Sequence, residues 1–298
     1  MRVTVRVPAT SANLGPGFDC FALALDLVNE VVVDTEAEPR VTWEGEGADE
    51  LPTDGTDMVS RAISYTVEQQ LRSHDGVEVP AFSLHGLNRI PLERGLGSSS
   101  AAAVAGVAIA DVLLRGARTG ATPEDRYPIY GYAAELEGHP DNAAAATYGG
   151  FTIVAAGFVH RLTSHADLFP VVLVPRHLRT PTGPARATLA DEVPRRDAVF
   201  NVGHASLLAI ALTREPGLLD VALRDRLHED VRLERVPEAR DLLHELRHAR
   251  QVPACVSGAG PSLLAFPPGG RDVGRLPHGW RAVRVNVRAS GADVVVEA

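Results

Sequence analysis

The sequence contains no lysine: across 298 residues, all 29 basic side chains are arginine. That excludes every mechanism that needs a lysine amine, including a Schiff base, a pyridoxal-phosphate lysine and the lysine of an ordinary P-loop. A phosphate bound by this chain must be met by backbone N–H groups, a metal ion or arginine. Cysteine is almost as scarce. Cys20 and Cys255 are too few for a cysteine metal cage or a disulfide framework. No apolar run reaches the length of a membrane span, and the opening MRVTVRVPAT alternates without a signal-peptide core. The expected compartment is therefore the cytoplasm, with no membrane partner. A net charge of −9 lacks the basic excess that a nucleic-acid partner wants. With 45% hydrophobic and 22% charged residues, the chain reads as one large or two medium soluble domains.

What the chain does have is a run of glycine and serine feeding an apolar helix. Residues 91–106 read PLERGLGSSSAAAVAG. Gly95 and Gly97 allow a sharp turn and a close approach to a ligand. Ser98, Ser99 and Ser100 follow, any of which can cap a helix, and residues 101–114 are nearly all Ala, Val, Ile and Leu. A turn of this kind leaves unpaired N–H groups at the positive end of a helix dipole, where phosphate binds well. A serine-nucleophile elbow would need glycine where Ala101 stands.

Two further polar clusters stand out. Residues 8–27, PATSANLGPGFDCFALALDL, place Ser11, Asn13, Gly15, Gly17 and Asp19 in a rigid loop between strands, of the kind that carries binding groups. Residues 135–151, ELEGHPDNAAAATYGGF, crowd Glu135, Glu137, His139, Asp141 and Asn142 at the end of a helix. Such oxygen donors suit Mg²⁺ better than zinc. An arginine in RHLRTPTGPARA, residues 176–187, could clamp a carboxylate or phosphate. Arg224, Arg226, Arg232 and Arg235 interleave with acids, the pattern of a solvated face.

Periodicity and breakers predict strands over 2–7 (ended by Pro8), 21–35, 40–45, 81–90, 151–156, 170–174, 281–287 and 293–297. They also predict a strand–glycine turn–strand unit about GAGPS at 258–262. Helices are predicted over 58–72 (capped by Thr56), over 101–114, from a start at 122–125 to about Glu137, and over 197–213, 217–227 and 237–251. The shift from strand-rich to helical sequence places a domain boundary at 160/161.

Three of these clusters, in this order, resemble the motifs of the GHMP small-molecule kinases. The central motif is similar to PLERGLGSSSA (91–101), the C-terminal glycine motif to VSGAGPS (256–262), and the N-terminal motif to residues 5–19. PATSANLGPGFDCFALAL and EGHPDNAAAATYGGF resemble the branch of the family whose acceptor is L-homoserine, and the likeness runs nearly end to end. The resemblance implies an α+β fold, with a ribosomal-S5-like ATP-binding domain at 1–160 and a ferredoxin-like domain at 161–298 completing the substrate pocket.

The resemblance also assigns roles. ATP would lie over Pro91, Leu92, Glu93, Arg94, Gly95, Leu96, Gly97, Ser98, Ser99, Ser100 and Ala101. Ser99 and Glu137 would serve Mg²⁺, with Ser98 and Glu135 still open as alternatives. Asn13, Asp19, His139 and Asp141 would surround the amino acid, Asp19 or Asp141 meeting its ammonium. Arg186 and Arg232 would hold its carboxylate, with Thr182 nearby, Arg235 the alternative to Arg232, and Gly258 and Gly260 closing the pocket.

Mevalonate-type members carry an Asp where this chain has Asn142, which is no base at neutral pH. The implied transfer is direct and in-line: Asn142 orients the hydroxyl and the proton leaves late, because phosphoryl transfer rests on positioning and charge neutralisation. Competing readings are a kinase of another small alcohol, a ligand sensor on the same fold, and a serine hydrolase. Monomer and homodimer both stay open.

Overall fold

The computed structural model describes residues 1–71, 80–115, 126–180 and 188–297. The helix start expected at 122–125 and the candidates Thr182 and Arg186 lie outside these residues.

The N-terminal strand does not stop at Pro8. β1 runs Arg2–Ala12 and pairs antiparallel with β2 (Phe21–Asp34), with its register shifting between Pro8 and Ala9. A bulge is where a sheet tolerates a residue that cannot donate a ladder hydrogen bond. Beyond it β1 is buried on both faces, which carries its polar end, Thr10 and Ser11, into the interior. β3 (Val41–Gly45) and β4 (Ser83–Asn88) extend the sheet on one side. β5 (Phe151–Ala155) pairs the early part of β2, and β6 (Phe158–Leu162), absent from the sequence reading, pairs β5. β11 (Asp293–Glu297) returns to the other edge beside β1. The end of the chain thus completes the first sheet, a crossing that a simple division at 160/161 does not anticipate.

Four helices pack with this sheet. α1 (Met58–Leu71) is capped by Asp57, not Thr56. The Asp57 carboxylate accepts the Ser60 N–H at 3.0 Å and the Ser60 hydroxyl at 2.6 Å, while Thr56 turns back to Asp54. α2 (Ser98–Arg115) is the helix expected after the glycine–serine run. α3 (Tyr127–Glu137) ends on Gly138 at φ 68°, the left-handed stop that glycine permits. Two residues later α4 (Pro140–Tyr148) begins. Pro140 starts a helix here; its missing N–H costs nothing at the first helical position.

The second sheet orders β10 (Trp280–Arg284), β7 (Val171–Pro175), β9 (Leu263–Ala265) and β8 (Ala254–Val256). Both its faces are covered. Val172, Val174, Cys255, Leu264 and Phe266 join the large core that the first sheet shares with α5 (Arg195–Thr213). Val171, Leu173, Ala254, Val256 and Leu263 face a second core with Leu242, Leu243 and Leu246. That is why β7 reads as an unbroken apolar run rather than an alternating one.

Helix prediction failed between these elements. The expected helix 217–227 shrinks to turns at Pro216–Leu218 and α6 (Leu219–Ala222). Asp225 Oδ2 accepts the N–H groups of Leu227, His228 and Glu229, diverting the backbone from helix. It opens instead α7 (Glu229–Glu234), which the sequence reading missed. α8 (Pro237–His244) continues through a wider turn, Glu245–Ala249.

Candidate active site

A solvent-open cleft of about 740 Å³ lies where the first turn of α2, the end of β1, the start of α4, α7 and the β8–β9 turn converge. Of the loop expected to hold nucleotide, Pro91, Glu93, Arg94, Gly95, Leu96, Gly97, Ser98, Ser99 and Ser100 are on its wall. Leu92 and Ala101 are not. Leu92 packs toward Gly47, and Ala101 is buried on the underside of α2.

Gly95 and Gly97 have φ of 69° and 67°, but the nearest obstacle to a side chain is the protein itself. A Cβ on Gly95 would lie 2.0 Å from the Ser257 carbonyl oxygen, and one on Gly97 would lie 1.9 Å from Thr10 Oγ1. The glycines let the loop close on β1 and on the β8–β9 turn. Ser257 joins these parts, its hydroxyl reaching both Gly95 O at 2.7 Å and Ser11 Oγ at 2.8 Å.

None of the three serines is the cap. α2 starts at Ser98, and its first helical bond is Ala101 N–H to Gly97 O at 2.9 Å. The earlier N–H groups are those a helix leaves without an internal partner. The hydroxyls of Ser99 and Ser100 donate instead to Glu137, at 2.6 Å to Oε1 and 2.9 Å to Oε2. Glu137 is therefore the carboxylate that faces the loop, while Glu135 is exposed and off the wall. Arg94 reaches the wall, but its donors go to the carbonyls of Leu92, Pro175 and Arg176. It fastens the loop to β7.

The other end of the cleft is drier. Asp141 is 3% exposed and Arg232 7%. Burial pushes the Asp141 carboxyl up to about 6; its bond from the Asn142 N–H opposes this and the nearby Asp19 adds to it. Asp19 and His139 share the wall, as do Asn13 and Gly258. Asn13 also has an architectural part. Its Nδ2 donates to Gly258 O at 2.9 Å and its Oδ1 accepts the Asp19 N–H at 3.0 Å, which shapes the loop that presents Asp19. Gly260 lies behind the wall; Ala259 takes the place expected of it.

Arg232 overturns the solvated-face reading of its segment. Its guanidinium donates to Gly258 O at 2.7 Å and lies 5.3 Å from the centre of the Phe18 ring. It also reaches His228 Nδ1 at 3.2 Å. His228 is fully buried, and burial holds its pKa below the usual imidazole value. Its Nε2–H donates to Gly15 O at 2.8 Å, which leaves Nδ1 as an acceptor for Arg232. Arg235 is exposed at the end of α7. Beneath them the buried pair Glu229–Arg247, 2.8 Å apart, and the Val256 N–H to Glu229 bond tie α7 to the second sheet.

Asn142 stands between the two ends, on the wall, with Thr10 Oγ1 donating to its Oδ1 at 2.7 Å. Thr10, Phe18 and His228 were not singled out from sequence. A Thr in a strand and a His in a charged run carry no local mark of a site. Among the described residues no cluster of three or more His, Cys, Asp or Glu gathers for a metal. Glu137 with the Ser99 hydroxyl nevertheless matches a hard cation that arrives with phosphates and keeps its own waters. No helix among the described residues is long and apolar enough to cross a membrane.

Comparison with known proteins sharpens this picture. The model of the GHMP kinases N terminal domain matches residues 57–150. The homoserine kinase of Clavibacter michiganensis subsp. michiganensis is 43% identical over 312 aligned residues, spanning 99% of this chain and 94% of its own. That of Streptomyces avermitilis is 41% identical over 302, spanning 98% and 95%. The crystal structure of homoserine kinase from Cytophaga hutchinsonii is similar with a TM-score of 0.81 at 26% identity, covering 99% of this chain and 97% of that one.

Proposed function

We infer the reaction from the premise that the chain belongs to the homoserine kinase family, a branch of the GHMP kinases, and has their α+β fold. It is a kinase that transfers the γ-phosphoryl group of ATP to the side-chain hydroxyl of L-homoserine, giving O-phospho-L-homoserine, a step toward threonine. The observation that carries this reading is the joining, in one cleft, of a helix N-terminus bearing Ser99 and Ser100, both bonded to Glu137 at the end of α3, to a dry end bearing Asp141 and Arg232.

Each role follows from chemistry. The first N–H groups of α2 and the positive end of its dipole meet the phosphates. With no lysine in the chain, Glu137 and Ser99 would supply oxygen donors to a Mg²⁺ ion arriving with the nucleotide. Mg²⁺ neutralises charge on the phosphates when bound. Arg232 pairs with the substrate carboxylate, and Asp141 or Asp19 with its ammonium. A zwitterion needs both signs; a hydroxy acid such as mevalonate needs no acidic partner. Asn142 orients the reacting hydroxyl. It takes no proton, and the transfer proceeds by positioning.

ADP release with MgATP and a panel of L-homoserine, L-serine, L-threonine, mevalonate and galactose tests the reading. Turnover confined to L-homoserine supports it. Turnover of mevalonate instead overturns the assignment of the dry end, and nucleotide binding without turnover of any of them favours a sensor.

A further inference from the structure

One contact on the cleft wall has no part in the reaction as stated above. Thr10 is fully buried at the end of β1, and its hydroxyl donates to Asn142 Oδ1 at 2.7 Å across 132 residues of chain. The hydroxyl is itself confined. The Thr10 N–H bonds Leu96 O at 3.0 Å, and Gly97 is packed so closely that a Cβ there would sit 1.9 Å from Thr10 Oγ1. The phosphate loop therefore closes directly onto the group that holds Asn142.

The amide has two ends with opposite hydrogen-bonding character. Asn142 Nδ2 lies 3.4 Å from Asp141 Oδ1, a carboxylate oxygen already accepting the Asn142 N–H at 2.8 Å. Turning the amide over would set its carbonyl oxygen against that carboxylate, acceptor to acceptor. The observed orientation pairs donor with acceptor on both sides. Oδ1 is turned toward Thr10 and packed beside Gly97, where a Cβ would lie 3.1 Å from it, so the end of the amide left facing the cleft is its N–H.

We propose that Thr10 is a positioning residue for phosphoryl transfer: its hydroxyl fixes the Asn142 carbonyl away from the acceptor alcohol, so that the amide donates to the attacking oxygen and never accepts from it. This rests on the reading of Asn142 as the residue that orients the homoserine hydroxyl. The consequence is chemical. The alcohol oxygen receives one N–H bond, which fixes one lone pair and leaves the other for phosphorus. The new O–P bond forms as the bond to the β,γ-bridging oxygen breaks, and that oxygen leaves with the electron pair as ADP. The hydroxyl proton, refused by Asn142, passes to an oxygen of the transferred phosphoryl group and then to solvent.

The experiment is a cycle on the full chain with MgATP and L-homoserine: Thr10→Val, Thr10→Ser, Asn142→Ala, and Thr10→Val with Asn142→Ala. Thr10→Val keeps the shape and removes the hydroxyl. It should lower kcat by about 10- to 100-fold, the usual size when a residue behind the contact group is lost, while KM for ATP stays within about threefold. Thr10→Ser keeps the hydroxyl and should retain most of kcat. In the Asn142→Ala background Thr10→Val should cost nothing further, because the two act as a unit. ADP binding by calorimetry reports folding of each variant, and Thr10→Ala replaces Thr10→Val if the latter fails to fold. Wild-type kcat in the folded Thr10→Val protein, or a loss that adds in full to that of Asn142→Ala, overturns the proposal. A parent chain that does not phosphorylate L-homoserine overturns the reaction and this inference with it. An active parent with an indifferent Thr10→Val variant overturns this inference alone.

Discussion

At one end of the cleft Ser99 is exposed and Glu137 half-buried, and the proposed reading leaves anion binding to backbone N–H groups at the start of α2. At the other, Asp141 and Arg232 are 3% and 7% exposed, so the charges proposed to recognise substrate are side chains removed from water. The two ends handle charge differently. A wet end of hydroxyls and amides suits a nucleotide that brings its own cation and must leave after each turnover. A dry end suits discrimination, because a buried charge without its partner is costly. Substrate choice should therefore reside in Asp141 and Arg232, and the rate of transfer in Ser99, Glu137 and Asn142.

Removing charge from the dry end should give the largest effect. Arg232→Met is expected to lower kcat/KM for L-homoserine by about 10²- to 10³-fold, as for a buried charge pair broken on one side, with KM for ATP unchanged. Arg232→Lys should not restore it, since an ammonium cannot make the forked pairing. A loss in ATP affinity instead would break the division between the ends. Next, Glu137→Gln should lower kcat by about 10²-fold and raise the Mg²⁺ concentration needed, leaving KM for L-homoserine nearly constant in steady-state assays.

A backbone change at the junction should appear as stability. Gly97→Ala combines a left-handed φ of 67° with a contact of 1.9 Å to Thr10 Oγ1. It should cost about 2–4 kcal/mol in chemical denaturation.

The smallest effect sharpens the comparison through pH. Asp141 has a folded-state pKa of about 6 against a usual 3.8. Between those values the free folded chain binds more protons at this site than the unfolded one, so its contribution to stability falls as pH rises through the window. Asp141→Asn should then stabilise the free protein near pH 7, by an amount on the order of 1–3 kcal/mol, while impairing substrate binding. In the parent, KM for L-homoserine should rise as pH falls below about 6, because an ammonium needs the ionised carboxylate. KM for ATP should not follow it.

How much of this was legible in the sequence depends on how local each feature is. All of the phosphate end except Glu137 falls within one stretch, 91–100, and could be read from glycine, serine and the apolar run behind them. The dry end joins Asp19, Asp141 and Arg232, which only the family resemblance brought together. Thr10 lies within the marked 8–27 stretch without being singled out, and His228 escaped both routes. Their importance lies in bonds to Asn142 and Arg232, the first spanning 132 residues, which no local pattern records. The misses in the fold are equally specific. β6 leaves Phe158, His160 and Arg161 exposed, so it shows no alternation. The helix at 140–148 went unpredicted because proline marks helix ends and helix starts alike. The loss of the helix at 217–227 follows from one carboxylate, Asp225, whose three backbone bonds no periodicity records.

The central claim is that the dry end reads a zwitterion. The most direct measurement compares kcat/KM for L-homoserine, for 4-hydroxybutanoate, which lacks the ammonium, and for the amino diol that lacks the carboxylate, at saturating MgATP. A site built to pair buried groups rejects an analogue missing one of them strongly. Each analogue should fall by about 10³-fold or more, with KM for ATP unchanged. Turnover of either analogue within about tenfold of L-homoserine would contradict the account.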